Sequence, residues 1–200
     1  MHSELTINEV ALIADVPPRS VEKAIETGIL KPVKRRAMFS NVRARYLELN
    51  AVCYFAAVGH MSFLKEIPVS RKKALMKAIR GMRDPTLRVL DLEPGLHLDL
   101  PMIATKKLDA ARSYAANKKR YIATNPDIFG GVPIIKGTRI PVYAIRDRLD
   151  DGDTIDDLVE DYPEIPREAF IAADIFARTH PERGRPAAAG RPWEIANSPT

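Results

Sequence analysis

The sequence has little cysteine and no long hydrophobic run. A lone cysteine, Cys53, can form neither an internal disulfide nor a cysteine-rich metal cluster. No stretch approaches the roughly 20 apolar residues that span a bilayer. The N-terminus, MHSELTINEV, lacks the basic region and apolar run of a signal peptide. These absences predict a cytoplasmic protein with no membrane segment, and we interpret Cys53, within an apolar helix, as a core residue.

Candidate catalytic residues are also sparse. The histidines are scattered over His2, His60, His97 and His180, and the nearest serines have no base close in sequence. The acidic run at 147–161 could mimic a carboxylate metal site. Its helical spacing is more typical of a solvated face, so the sequence predicts no enzyme, no metal and no cofactor. Nuclease activity that is lost on replacing Asp156 and Asp157 would favour the alternative.

Charge is present in abundance and is segregated along the chain. Residues 1–83 carry 15 Lys and Arg against 7 Asp and Glu, a net charge of +8. Residues 122–177 carry 5 against 12, a net charge of −7, and residues 178–200 return to +2. A basic front, an acidic rear and a basic end indicate different partners for each part.

The pattern predicts a mainly α fold with short β-hairpins. Near the N-terminus, we expect Leu5, Val10, Ala11 and Ala14 to share one face of a first helix, and Val21, Ala24 and Ile25 to mark a second that ends at Gly28. Lys31–Met38 and Val42–Tyr46 predict a basic hairpin, followed by helices over 48–58 and 70–82, the latter capped by Ser70. This front resembles the N-terminus of MerR-type winged helix-turn-helix proteins.

The remainder alternates short strands with helices. A hairpin is expected over 87–100 and a helix over 102–118. A short strand at 121–123 then precedes three helices, at 142–149, 155–161 and 167–177. We therefore divide the chain into a winged helix-turn-helix domain (1–83), a hairpin-helix connector (84–120), a three-helix, helix-turn-helix-like bundle (121–178) and a flexible tail (179–200).

The stretch GGVPIIKGTRIPV, residues 130–142, is close to a phosphate-binding loop. In a P-loop, Gly-Lys-Thr leads directly into a helix. Here Lys136 precedes Gly137, and the next predicted helix begins only at Val142. The apolar pairs around Lys136-Gly137-Thr138 instead predict a tight turn, preceded by a Gly130–Gly131 turn with positive φ. We interpret the stretch as structural.

The same stretch carries a family resemblance. Residues 125–170 closely resemble a small prokaryotic domain family found in VapB-like antitoxins. The matching positions are Pro126, Gly131, Pro133, Ile135, Gly137, Thr138, Arg139, Ile140, Pro141, Val142, Asp161, Tyr162 and Pro163. The resemblance implies a strand pair leading into a three-helix bundle, often encoded beside a PIN-like RNase toxin. The bundle's acidic residues would repel phosphates, so we expect it to scaffold or dimerise, with Arg139 paired to a neighbouring acid.

The basic front offers the candidate DNA contacts. In a winged helix-turn-helix, the second helix enters the major groove and the hairpin grips the backbone. The predicted DNA-binding residues are Arg19, Ser20, Lys23, Lys31, Lys34, Arg35, Arg36, Arg43 and Arg45. The competing interpretation is an ordinary solvated face.

The C-terminal segment HPERGRPAAAGRPWEI offers guanidinium groups and one aromatic anchor. Given the resemblance, the predicted toxin-binding residues are Arg183, Arg185, Pro186, Arg191 and Trp193, because guanidinium groups pair bidentately with the carboxylates of an RNase site. Arg183–Pro186 also forms the RGRP core of an AT-hook, which binds the minor groove of A·T-rich DNA. A tail without a fixed partner is the third interpretation.

Together these features predict an antitoxin that acts as a homodimer. It would neutralise a PIN-like RNase toxin through its tail and autorepress its operon by binding operator DNA. A stand-alone MerR-like transcriptional regulator, with an AT-hook-like tail and a segment, 84–121, that could host an effector pocket, is the second hypothesis.

Overall fold

A computed structural model describes residues 4–39, 42–93 and 96–182. Within these ranges the chain is mainly helical, as predicted, with short antiparallel strands. The helices are α1 Ile7–Ala14, α2 Pro18–Glu26, α3 Asn50–His60, α4 Val69–Gly81, α5 Leu100–Tyr121, α6 Val142–Asp150, α7 Ile155–Asp161 and α8 Arg167–Thr179.

The strands form three small antiparallel sheets. In the first, β3 (Arg43–Glu48) lies between β1 (Glu4–Thr6) and β2 (Val33–Arg36). The second pairs β4 (Val89–Glu93) with β5 (Leu96–Asp99), and the third pairs β6 (Ile122–Ala123) with β7 (Ile134–Ile135). The basic hairpin and the hairpin over 87–100 were both predicted.

Two local predictions at the front are wrong. Leu5 does not belong to the first helix: it lies in β1 opposite Leu47 and is fully buried. Helix α1 begins after Thr6, whose side chain accepts a hydrogen bond from the backbone N–H of Glu9. Ser70 does not cap α4. That cap position belongs to Pro68, which makes no side-chain capping bond. The three rear helices match their predicted positions to within two residues.

Helix α5 is the central element of the core. Leu100, Ala104, Leu108, Ala111 and Ala115 are buried along it at helical spacing, so one face is apolar throughout. Through that face α5 packs against α3, α8 and α1. A single hydrophobic cluster therefore continues from the front of the chain into the rear helices. The division into four segments at residues 83, 120 and 178 stays a prediction.

A charged network is buried where α1, α5 and α8 meet. Glu9 is fully buried, and its carboxylate accepts hydrogen bonds from Lys118 Nζ and from the Tyr114 hydroxyl, each at 2.6 Å. Its second oxygen accepts the backbone N–H of Thr6 at 2.7 Å. Beside it, the Asn8 side chain donates to the Thr179 carbonyl at 3.2 Å. Residues from the front, middle and rear of the chain thus share one polar cluster.

The electrostatics of this cluster favour an ionised Glu9. Burial by itself would raise the pKa of Glu9, but the Lys118 ammonium and the hydrogen bonds from Lys118 and Tyr114 bring it below its ordinary value. Burial and the neighbouring Glu9 raise the pKa of the Tyr114 hydroxyl, which therefore stays protonated and keeps donating. Breaking such a pair leaves an uncompensated buried charge.

We predict that Lys118→Met lowers the free energy of unfolding by about 3–5 kcal/mol, because it strands the Glu9 carboxylate in the core. The matched control is Arg80→Met, which removes the exposed partner of Glu48 at 3.1 Å and should cost less than about 1 kcal/mol. Urea unfolding followed by circular dichroism measures both. Equal losses in the two variants would contradict the burial argument.

The tip of the basic hairpin packs on the end of α8. The Phe39 ring packs edge-to-face against the Phe176 ring, with centroids 5.4 Å apart. The His180 ring stacks on the same Phe176 ring, with centroids 4.2 Å apart. The Tyr143 hydroxyl donates to the His180 carbonyl at 2.9 Å. Burial lowers the pKa of His180, and Lys118 adds to this effect against the opposing attraction of Glu9. His180 is therefore held in its neutral form.

A depressed histidine pKa makes stability depend on pH. Above about pH 6.5, the ordinary histidine value, both states hold the neutral ring and the full stability is present. As the pH falls below that value, His180 is protonated in the unfolded chain but not in the folded chain. The free energy of unfolding therefore drops by up to about 1.4 kcal/mol per pH unit. His180→Phe keeps the stacking on Phe176 and should flatten this dependence between pH 7 and pH 5 in urea titrations. If the free energy of unfolding of His180→Phe varied with pH as steeply as that of the parent, the assignment of this dependence to His180 would be contradicted.

Candidate nucleic-acid interface

Helix α2 places three predicted contacts on the surface. Its turn from α1 is set by Pro17 and Pro18, which fix the backbone at the start of the helix. Arg19 and Ser20 in its first turn and Lys23 in its last turn are all exposed. Glu22 and Glu26 share this side with Arg19 and Lys23, and the four line a common surface depression. The exposed side of α2 is therefore mixed in charge.

The hairpin next to α2 concentrates positive charge on one face. The strand register sets Lys34 opposite Arg45 and Arg36 opposite Arg43. Directly opposed residues project to the same side of a sheet, and so do residues two apart along a strand. All four cations therefore share one face, and all four are exposed. We call this the cationic hairpin face: Lys34, Arg36, Arg43 and Arg45.

Like charges opposite each other destabilise a hairpin. The cationic hairpin face has two such pairs, and Arg45 of one pair also forms an ion pair with Glu22 at 3.5 Å. The same ion pair places the face beside α2. A polyanion lying across the hairpin and α2 would relieve the repulsion, so the arrangement suits a nucleic-acid backbone.

The remaining predicted contacts stand apart from this face. Arg35 projects from the opposite side of the hairpin, where it pairs with Glu4 at 3.0 Å. Lys31 is exposed in the segment between α2 and β2. The structure thus brings together four of the nine predicted residues on one face, with three more on the adjacent helix.

A cleft beside α2 contains cations that the sequence analysis missed. It has a volume of about 660 Å³ and lies between the α1–α2 turn, α2, α3, α4 and α5. Besides Ser20 and Lys23 it is lined by Lys65, Lys72 and Lys107. These lysines belong to the Ser62–Lys65 3₁₀ turn, α4 and α5. The basic composition of residues 70–82 was the one sequence signal, and it gave no indication of a shared site.

The stretch 130–142 is a turn, as predicted. Gly137 has φ of +84°, which a residue with a side chain rarely adopts, and the Thr138 hydroxyl donates to the Ile135 carbonyl at 2.8 Å. The same hydroxyl accepts the Ile140 N–H at 3.0 Å, so it fastens both sides of the turn. Helix α6 begins only at Val142, after Pro141. Phosphate-loop geometry is absent from this described stretch.

The arginines of the rear helices are paired with acids, which outnumber them. Arg148 pairs with Asp153 at 2.5 Å and with Asp161 at 2.6 Å, and the hydrogen bonds that its guanidinium donates to Asp161 and Asp153 raise its pKa. Further pairs join Arg146 to Asp150, Arg146 and Arg178 to Asp174, and Arg167 to Asp156. The expected pairing of Arg139 is wrong: it is exposed, and no carboxylate of the described residues lies within 4.0 Å of it.

The toxin-binding prediction falls on Arg183, Arg185, Pro186, Arg191 and Trp193, which lie outside the described residues.

Cys53 is fully buried, and burial raises its pKa to about 12, in agreement with its interpretation as a core residue. Among residues 4–39, 42–93 and 96–182, no cluster of three metal-ligating side chains occurs. None of the helices in these ranges has both the length and the apolar character to cross a membrane.

Comparison with known proteins identifies part of the chain. Residues 122–177 match a family described as "Protein of unknown function (DUF433)". The chain is similar to "Uncharacterized protein y4eO" of Sinorhizobium fredii (strain NBRC 101917 / NGR234), with 34% identity over 70 residues, which are 35% of this chain and 32% of that protein. The chain thus matches about a third of the length of this curated relative.

One solved structure is similar over a longer span. The X-ray crystal structure of Rv2018 from Mycobacterium tuberculosis aligns with 84% of this chain and 95% of its own, at 12% identity and a TM-score of 0.30. This score is too low for the likeness to support any structural or functional argument.

The cross-strand repulsion can be tested through stability. We predict that Arg43→Thr raises the free energy of unfolding by about 0.2–1 kcal/mol at low salt, because it removes the cation opposite Arg36. The gain should shrink towards 1 M NaCl, where the Debye length is about 3 Å. Arg35→Thr is the matched control: it breaks the pair with Glu4 and should not stabilise the fold. A loss of stability in Arg43→Thr at low salt would contradict this account.

Proposed function

We propose that this protein is an antitoxin that binds operator DNA through its N-terminal winged helix-turn-helix and neutralises a PIN-like RNase through its C-terminal tail. The observation that carries the DNA half is the cationic hairpin face, held beside α2 by the Arg45–Glu22 pair. In this proposal α2 enters the major groove, and the hairpin contacts the adjacent phosphates.

The charge distribution supports DNA as the partner of the front. Four cations on one face, two of them directly opposed to the other two, cost stability in the free protein. Each phosphate they neutralise releases counterions, which favours binding at low salt. The exposed Arg19 and Lys23 add cations on the mixed-charge side of α2, where Glu22 supplies an acceptor for a cytosine amino group.

The rear helices have a different role in this proposal. Their arginines are engaged by acids of the same and neighbouring helices, and the remaining surface is acidic, which disfavours DNA. We assign residues 121–178 to scaffolding and dimerisation, so that two copies present their hairpins to operator half-sites one helical turn apart. The resemblance of this segment to VapB-like antitoxins supports the toxin partner, and the arginines after residue 182 supply groups that would fit a carboxylate-lined RNase site.

The DNA half is tested by salt dependence. We predict that Lys34→Gln/Arg43→Gln weakens binding to a fluorescent 30-base-pair duplex and reduces the slope of log affinity against log salt by about 2, since two phosphate contacts are lost. The matched control, Lys136→Gln/Arg139→Gln, makes the same charge change on the rear turn and should leave the slope unchanged. Fluorescence anisotropy measures both. An equal effect of the two double variants would contradict a specific role for the hairpin.

The toxin half is tested by truncation. If the gene beside this one encodes a PIN-like RNase, as the proposal requires, a chain ending at Glu182 should retain DNA affinity but lose stoichiometric inhibition of that RNase. Co-purification and RNase assays with the full and truncated chains measure this loss. Full inhibition by the truncated chain would contradict the assignment of the toxin contact to the tail.

A stand-alone transcriptional regulator is the second candidate, and the cleft beside α2 favours it, because an effector pocket in contact with a DNA-binding helix would provide regulation without a toxin. In that case the truncated chain should lose affinity for A·T-rich duplexes, because the RGRP segment would act as an AT-hook.

A further inference from the structure

The cleft beside α2 has a cationic rim and an apolar floor. Lys23, Lys65, Lys72 and Lys107 all line it, and Asp15 is the one acidic residue among the lining residues of the described chain. No carboxylate of the described residues lies within 4.0 Å of any of the four ammonium groups. The cleft therefore concentrates positive charge that the fold itself does not neutralise.

Two of these lysines are held in place by the backbone. Lys72 Nζ donates to the Lys65 carbonyl, and Lys107 Nζ donates to the Ala14 carbonyl at the end of α1. Each ammonium group has three donors, so each retains two for another acceptor. Lys72 comes from α4 and Lys107 from α5, so two different helices supply preorganised donors to the cleft.

The floor of the cleft contains a hydroxyl that is available to a ligand. Only 3% of Tyr54 is exposed, but its hydroxyl oxygen is accessible from the cleft and makes no hydrogen bond within the described residues. Burial raises the pKa of Tyr54 to about 12, so the hydroxyl stays protonated and able to donate. A hydroxyl without a partner in the described chain can therefore donate to an anion that enters the cleft. Ile29 and Ile103 lie nearby as apolar lining.

We propose that this cleft binds a small organic anion whose carboxylate or phosphate group contacts the lysines and the Tyr54 hydroxyl, while its apolar body lies against the floor. The volume of about 660 Å³ is within the range of small-molecule sites. This site goes beyond the proposed antitoxin function, because neither DNA nor toxin binding requires a ligand here, and it gives a ligand class to the effector pocket of the second candidate.

The binding is tested with phenyl phosphate and benzoate as probes, and with benzylamine and benzyl alcohol as cationic and neutral controls. In ¹H–¹⁵N spectra of the full chain, the two anions should shift the amide signals of Thr27, Gly59 and His60 in a saturable way, and the two controls should not. The tighter of the two anions identifies the preferred head group. Equal shifts with benzyl alcohol would overturn the proposal, and so would shifts with duplex DNA but with neither small anion.

Two variants test the contacts. Tyr54→Phe should weaken binding of the preferred anion about 10-fold, because it removes one hydrogen bond to a charged group. Since that hydroxyl has no partner in the chain, the variant should be at least as stable as the parent in urea, which verifies its fold. Lys65→Gln should weaken binding several-fold, whereas Lys77→Gln, an exposed position on α4 outside the cleft, should not. Unchanged affinity in both Tyr54→Phe and Lys65→Gln would overturn the proposal.

Discussion

The fold depends on one buried ion pair. Glu9 in α1 and Lys118 in α5 are 2.6 Å apart and almost completely excluded from solvent, and α8 is tied to the same cluster through Asn8 and Thr179. A buried carboxylate is tolerated only when it is paired and hydrogen-bonded, so these three helices can adopt one arrangement that satisfies it. That arrangement positions the basic hairpin against the end of α8, where Phe39 meets Phe176.

Charge is managed differently at the two ends of the described chain. At the rear, arginines such as Arg148 pair with acids of neighbouring elements. At the front, the cationic hairpin face holds opposed like charges, and no carboxylate of the described residues lies within 4.0 Å of the lysines that line the cleft beside α2. The excess positive charge thus lies at the front, where an anionic partner would compensate it. This asymmetry is the physical basis of both proposals.

The sequence was informative wherever the signals are local. The rear helices follow from apolar periodicity, and the basic hairpin follows from two short extended runs. It was uninformative where partners are distant. Leu5 becomes a strand residue because Leu47 lies opposite it. In the sequence Glu9 resembles an exposed helical acid, because its buried partner, Lys118, lies 109 residues later in the chain. The cleft likewise draws its lysines from separate helices.

The ionised state of Glu9 is the claim that supports the rest, and a carbon-detected NMR titration of its side-chain carboxyl measures it directly. If the pair with Lys118 dominates the cost of burial, the carboxyl signal should keep its ionised position down to a pH below about 4.3, the ordinary value for glutamate. A titration midpoint above that value would show that Lys118 does not effectively pair with the buried Glu9. It would contradict the claim that this ion pair joins α1 to α5.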